Sequence, residues 1–96
     1  MIEVRQTVVF SEWLASLRDA KAVARIDVRI RRLSLGNFGD AKSVGGGVRE
    51  LRIDYGPGYR VYFVERRNVV VILLCGGDKR SQGADIALAK KLSKEV

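Results

Sequence analysis

The hydrophobic pattern changes period once, near residue 41, and that change limits the chain to one kind of architecture. Before it, apolar side chains recur at helical spacing: Phe10, Trp13, Leu14 and Leu17, then Val23, Ile26, Ile30 and Leu33. Each set marks one face of a helix, because positions i, i+3, i+4 and i+7 fall on the same side of a 3.6-residue repeat. Thr7 stands where the first helix needs an N-cap, although the β-branched Val8 and Val9 disfavour its first turn. Gly36-Asn37 stops the second helix, which begins near Lys21, and Gly36 suits the left-handed position that closes it. The short spacing at Asp19-Ala20 makes the two an antiparallel hairpin. Ahead of them Ile2–Gln6 alternates apolar and polar and reads as a short strand.

From Ala41 the period is two, and glycines punctuate it. Strands are expected at Ala41–Val44, Val48–Asp54, Tyr59–Glu65 and Val69–Gly76. The turns between them are Gly45-Gly46-Gly47, Gly56-Pro57-Gly58 and Arg66-Arg67-Asn68. Val69–Gly76 is apolar on both faces, which suits a central strand covered on both sides. Asp78–Gln82 is expected as a polar loop, with Ser81 capping a last helix that presents Leu88, Ala89, Leu92 and Val96 inward. The order β-α-α-β-β-β-β-α predicts an α+β fold. It is a small antiparallel sheet with an N-terminal helical hairpin on one face and a short C-terminal helix. Residues 1–96 form a single domain, since a chain of this length holds one hydrophobic core and not two.

Composition matters chiefly for the chemistry it excludes. There is no histidine, and Cys75 is the only cysteine. Imidazole catalysis, a structural zinc site and an internal disulfide are therefore out of reach, and no metal or cofactor is expected. Cys75 reads as a small buried apolar residue, and Trp13 as core or as part of a surface that faces a protein partner. The triple glycine lacks a following Lys-Ser/Thr, so it is a turn and not a phosphate-binding loop. The longest apolar run, Val69–Cys75, is too short to cross a bilayer, and MIEVRQTVVF lacks a signal-peptide apolar region. A cytoplasmic location without a membrane partner is expected. Eighteen Lys+Arg against eleven Asp+Glu give a net charge of +7, which favours a polyanionic partner.

Strand parity selects among those charges. In Val48–Ile53, Leu51 and Ile53 turn toward the helical hairpin, and Glu50 and Arg52 turn away. In Tyr59–Val64, Tyr59, Val61 and Phe63 turn inward, and Arg60, Tyr62 and Val64 turn to the other face. The Gly56-Pro57-Gly58 turn makes Arg52 and Arg60 neighbours on that face. Two adjacent arginines repel unless an anion lies between them. Glu50 is the internal candidate for that anion, and a phosphate the external one. Lys79 and Arg80 follow the next strand and are expected at the end of the same concavity, with Tyr62 available to stack a base.

These residues resemble the RelE/ParE toxin superfamily, in particular the branch described as addiction-module killer proteins. The resemblance rests on Leu51-Arg52-Ile53, Gly56-Pro57-Gly58-Tyr59-Arg60-Val61-Tyr62-Phe63 and Leu73-Leu74-Cys75-Gly76-Gly77-Asp78-Lys79. Phe10-x-x-Trp13-Leu14, Arg25-Ile26, Gly36-Asn37-Phe38-Gly39-Asp40 and Lys79-x-Ser81-Gln82-x-x-Asp85-Ile86 extend it over essentially the whole chain. It implies the toxin of a type II toxin–antitoxin module, an enzyme that cuts messenger RNA on the ribosome without a metal. The 2′-hydroxyl attacks the adjacent phosphate and leaves a 2′,3′-cyclic phosphate. The implied partners are the ribosome with its mRNA and a cognate antitoxin of helix-turn-helix type, joined in a toxin–antitoxin hetero-oligomer.

Carried onto this sequence, the resemblance gives Arg60 the charge on the scissile phosphate. Arg52 helps activate the 2′-hydroxyl, and Lys79 or Arg80 protonates the leaving 5′-oxygen. The sequence departs from the family pattern in having no counterpart after Tyr62 of the tyrosine or histidine that several mRNA-cutting relatives place near the C-terminus. Glu50 is an alternative base, a division of labour different from that of the lysine-rich members. Tyr62, Arg49, Arg29 and Arg32 complete the set expected against RNA, although the arginines of the second helix, Arg25, Arg29 and Arg32, are most simply a solvated face. ParE-like relatives share the fold but inhibit DNA gyrase without cutting. A gyrase inhibitor and a non-catalytic nucleic-acid-binding homologue are therefore the alternatives.

Overall fold

The computed structural model describes residues 1–96. Its elements run β1 (Glu3–Gln6), α1 (Val8–Ser16), α2 (Ala20–Ser34), β2 (Ala41–Gly45), β3 (Val48–Ile53), β4 (Tyr59–Arg66), β5 (Val70–Gly77), a 3-10 turn (Lys79–Ser81) and α3 (Gln82–Ser93). The sheet order is β1-β5-β4-β3-β2. Strands β2 to β5 are antiparallel, as their tight turns require, and β1 adds a parallel edge strand beside β5. That parallel pair was not legible in the hydrophobic pattern. It arises because α1 and α2 carry the chain away from β1, and every later strand is laid down antiparallel to its predecessor. Strand β5 is interior, as expected, while the middle position belongs to β4.

Local chemistry fixes the helix ends. Thr7 Oγ1 accepts from Phe10 N–H at 3.0 Å and donates to the Leu74 carbonyl at 2.5 Å, so one hydroxyl caps α1 and pins it to β5. The cap outweighs the poor helix propensity of Val8 and Val9, whose side chains remain at the surface. Asp19 caps α2 by accepting from the N–H groups of Lys21 and Ala22. Gly36, at φ +83°, closes α2 as its sequence position suggested. Its N–H reaches the Leu33 carbonyl and that of Asn37 reaches Arg32, the paired bonds of a Schellman closure.

The sheet buries both faces. On one, Phe10 of α1 and Ile26 and Leu33 of α2 meet Leu51, Ile53, Val61, Phe63, Val71 and Leu73. On the other, Ala89 of α3 meets Val48, Tyr62, Val64, Leu74 and Cys75. The face that parity separates from the helical hairpin is thus no open platform, because α3 lies across it. The inward side of α3 also differs from expectation. Ile86, Ala89 and Leu92 pack inward, whereas Leu88 and Val96 are exposed. Ser81 does not cap α3 through its side chain; its hydroxyl donates to Asp85 Oδ2 at 2.5 Å instead. The Asp78–Gln82 segment, expected as loop, is ordered as the 3-10 turn by Asp78, which accepts from Arg80 N–H at 2.8 Å.

A bulge in β5 explains how two consecutive residues reach the same core. Tyr62 pairs with Cys75 and Phe63 with Leu73, so Leu74 is the extra residue. Leu73 faces the helical hairpin, while Leu74 and Cys75 both face α3. Beyond the bulge Gly76 faces α1 and Gly77 faces the start of α3. A Cβ on Gly76 would stand 2.3 Å from the Trp13 ring. No helix is long and apolar enough to cross a membrane.

Gly76→Ala is expected to lower the unfolding free energy by about 1–3 kcal/mol, the usual cost of overpacking a closed site. Gly83→Ala is the control, because a Cβ there meets nothing within 4 Å and the residue lies in α3. It should leave stability unchanged or raise it. Urea denaturation of the two variants decides, and equal stability of both would refute the close Trp13 packing.

Candidate functional site: a cationic cleft at the β3–β4 turn

Three of the cations singled out in the sequence converge. Arg52 and Arg60 are directly paired across β3 and β4. Together with Lys79 and the Gly56-Pro57-Gly58 turn they line a cleft of about 390 Å³. The turn is tight because Gly58 N–H bonds the Tyr55 carbonyl at 3.1 Å, with Gly56 at φ +58° and Gly58 at φ +80°. Asp40 and Asp54 also line the cleft, so it carries two carboxylates opposite its three cations. Lys79 is exposed, Arg52 has 36% of its side chain accessible and Arg60 only 11%. Arg60 is therefore the least free to move. Its guanidinium is the best placed to meet an anion without losing side-chain entropy.

Behind the two arginines lies Glu50, fully buried. Its Oε1 is 3.3 Å from Arg52 Nε and 3.5 Å from Arg60 Nη1. Its Oε2 accepts from Gln82 Nε2 at 2.7 Å and from Tyr62 OH at 3.1 Å. The internal carboxylate between the arginines is thus present. Glu50 as general base is corrected by the same geometry: a base must come within hydrogen-bonding distance of the proton it takes, and this carboxylate is closed off on every side.

Tyr62 is corrected likewise. It is fully buried in the core under α3, and a ring without exposure stacks on no base. Burial, the charge of Glu50 and the hydrogen bond to it push the phenol well above the ordinary tyrosine range.

The remaining expected residues are not gathered into the cleft. Arg80 points to solvent with 85% of its side chain exposed and pairs with Asp78 at 3.1 Å, so of the two cations after β5 it is Lys79 that lines the cleft. Arg49 lies on the opposite face, its guanidinium 4.5 Å from the centre of the Phe38 ring and 5.6 Å from that of Phe63. Arg29 is neither a solvated arginine nor a free RNA contact. It donates to the Arg52 carbonyl at 2.5 Å and to the Phe38 and Asp40 carbonyls at 3.4 Å, stitching α2 to β3 and the loop before β2. Burial lowers its guanidinium pKa, opposed by the nearby charge of Asp40. Arg32 stays on the surface of α2, where with Lys21 and Arg25 it lines a groove of about 480 Å³ that shares Ile53 and Asp54 with the cleft.

Gln82, Asp40 and Asp54 were not singled out from the sequence as site residues. For Asp40 the signal was β2–β3 register: Ala41 pairs with Leu51, and Arg52 N–H bonds the Asp40 carbonyl at 3.0 Å. For Gln82 it was the face it shares with Ile86, Ala89 and Ser93 of α3, readable only once α3 is known to cross the sheet. Gly77 belongs with them. It pairs with Arg60, and a Cβ there would stand 1.8 Å from Asp85 Oδ2.

Cys75 is buried as expected, with its Sγ 3.5 Å from the Asp85 carbonyl. Burial, with Asp85 adding to it, pushes the thiol pKa up to about 12 from an ordinary 9.0. The unfolded chain therefore releases this proton near pH 9 while the folded one keeps it. The contribution of the neutral thiol to stability is complete below pH 9 and declines as pH rises toward 12. Tyr62, raised in the same direction, adds to alkaline unfolding. In pH-dependent denaturation Cys75→Ala is expected to flatten the loss of stability above pH 9. The wild-type thiol should resist iodoacetamide at pH 8 until urea unfolds the chain. Rapid alkylation of the native protein would refute its burial.

Comparison with known proteins gives two findings. The family described as "Phage derived protein Gp49-like (DUF891)" matches residues 12–94. A protein of Haemophilus influenzae, described as "Uncharacterized protein", is 53% identical over 95 residues, which cover 99% of this chain and 96% of that one.

Proposed function

Because the chain belongs to the phage-derived Gp49-like family, which is related to RelE-type toxins, we propose that it is the toxin of a toxin–antitoxin pair and acts in the cytoplasm as a ribosome-dependent mRNA endonuclease. The single observation that carries this reading is the cleft in which Arg52, Arg60 and Lys79 converge at the β3–β4 turn. Convergent guanidinium and ammonium groups suit a phosphodiester whose charge rises as it becomes pentacoordinate.

In the proposed reaction the 2′-oxygen forms a bond to the adjacent phosphorus and the bond from phosphorus to the 5′-oxygen breaks. Arg60 and Arg52 take the charge that develops on the non-bridging oxygens. The 2′-hydroxyl proton passes to a carboxylate at the cleft, for which the exposed Asp54 is the candidate in place of the buried Glu50. Lys79 gives its proton to the departing 5′-oxygen. The groove along α2, continuous with the cleft through Ile53 and Asp54, supplies Lys21, Arg25 and Arg32 for phosphates beyond the one cut. Such contacts add affinity that weakens with salt and carries no sequence preference. The antitoxin, on this reading, covers the cleft.

The test is to map RNA ends on translating ribosomes. Wild type is expected to generate ends within A-site codons, and Arg60→Ala to reduce them by about 10²–10³-fold, the usual cost of removing one oxyanion partner. Absence of cleavage by wild type, with early arrest of DNA synthesis on induction, would replace this reading with gyrase inhibition. Undiminished cleavage by Arg60→Ala would overturn the role given to the cleft.

A further inference from the structure

Glu50, Arg52, Arg60 and Tyr62 form a square on one face of the sheet. Glu50 is paired with Tyr62, and Arg52 with Arg60, on the neighbouring strands β3 and β4. Parity fixes this arrangement, because residues two apart on a strand share a face. The centre of the square holds a fully buried carboxylate, whose removal from water is costly unless its lone pairs are met.

The two oxygens of that carboxylate are used differently. Oε2 is held by two neutral donors, Gln82 Nε2 at 2.7 Å and Tyr62 OH at 3.1 Å. Oε1 is left to the two cations, 3.3 Å from Arg52 Nε and 3.5 Å from Arg60 Nη1. Glu50 Oε1, Arg52 Nε and Arg60 Nε are all buried, yet none makes a hydrogen bond within the protein. Charge rather than directional bonding therefore holds the arginines to the carboxylate. We propose that Glu50, fixed by Tyr62 and Gln82, is the positioning residue of the cleft: it sets the aim of Arg52 and Arg60 and takes no proton from a substrate.

The logic is electrostatic. Two guanidinium groups on paired residues swing apart when nothing lies between them. A counter-charge anchored behind them keeps both in place while the cleft is empty, with the square still one positive charge in excess. An arriving phosphate then meets donors that need not reorganise. Gln82 is the first residue of α3, so the C-terminal helix contributes to the cleft from behind. This inference rests on the proposed function for the reaction it serves, but its geometry has a readout independent of cleavage.

That readout is the mobility of the arginine Nε–H groups, measured by ¹⁵N relaxation on the whole protein. In wild type both Arg52 and Arg60 should be nearly as ordered as the backbone. Glu50→Gln keeps the shape and removes the charge, so both should lose that order while the remaining spectrum is retained. Tyr62→Phe keeps the charge and removes one donor, giving a smaller loss, and it serves as the second probe should Glu50→Gln fail to fold. In ribosome cleavage, Glu50→Gln should lower kcat by about 10- to 100-fold with little change in KM, the signature of misaimed groups. Arginines as ordered in either variant as in wild type would overturn the proposal. So would loss of the acidic limb of the kcat–pH profile in Glu50→Gln, because that result makes Glu50 the base. Absence of cleavage by wild type would sink the endonuclease reading alone, and the relaxation measurement would still decide the positioning role.

Discussion

A carboxylate with no exposure to solvent lies between two guanidinium groups, and much of this structure is arranged around satisfying it. A buried unpaired charge is among the costliest features a small domain can carry. Glu50 meets that cost with partners from three elements: Arg52 from its own strand β3, Arg60 and Tyr62 from β4, and Gln82 from the start of α3. Register between β3 and β4 cannot slip without breaking this set, because a shift of one residue sends every side chain to the other face. Nor can the start of α3 move away without taking from the carboxylate the shorter of its two hydrogen bonds, the one from Gln82. The charge cluster therefore helps specify register and helix docking as well as shaping the cleft.

Much of this was legible in the sequence. The period change near Ala41 gave the element order, the Thr7 and Gly36 positions gave helix ends, and parity placed Arg52 beside Arg60 with Glu50 as their counter-charge. What parity cannot give is whether a face is covered. It correctly turns Tyr62 and Val64 away from the helical hairpin, but it does not show that α3 packs over them, so Tyr62 is expected free to stack a base when it is buried. The inward side expected for the last helix, Leu88, Ala89, Leu92 and Val96, is only half right for a physical reason: the side that packs is short and mixed, with Gln82, Ala89 and Ser93 among the apolar Ile86 and Leu92. The β5 bulge was also hidden, since one extra residue leaves no mark in a run where Leu73, Leu74 and Cys75 are all apolar.

Net charge overstates the number of cations free to meet a partner. Of the arginines, Arg29 is tied to three backbone carbonyls and Arg49 covers two aromatic rings. Arg66 donates to the Ser93 carbonyl at 2.9 Å, and Arg5 and Arg80 pair with Glu3 and Asp78. Arg29 and Arg66 use long side chains with several donors to join separate elements, whereas Arg5 and Arg80 make local exposed pairs. A charge count from composition includes all of these, and only geometry separates them from the three cations of the cleft.

That separation governs how far the family resemblance carries to this chain. Fold alone is silent on the chemistry, and the local side chains must decide. Here the decisive contrast is between cations bound to the protein and cations directed into a cavity. Arg52 and Arg60 sit between these extremes: each is attracted to Glu50, and both line the cleft. Fully satisfied arginines would be structural; unrestrained ones would lose entropy on meeting a phosphate. An arginine pair held by charge in the wall of a cavity meets the opposed demands of a stable empty fold and of the proposed anion site.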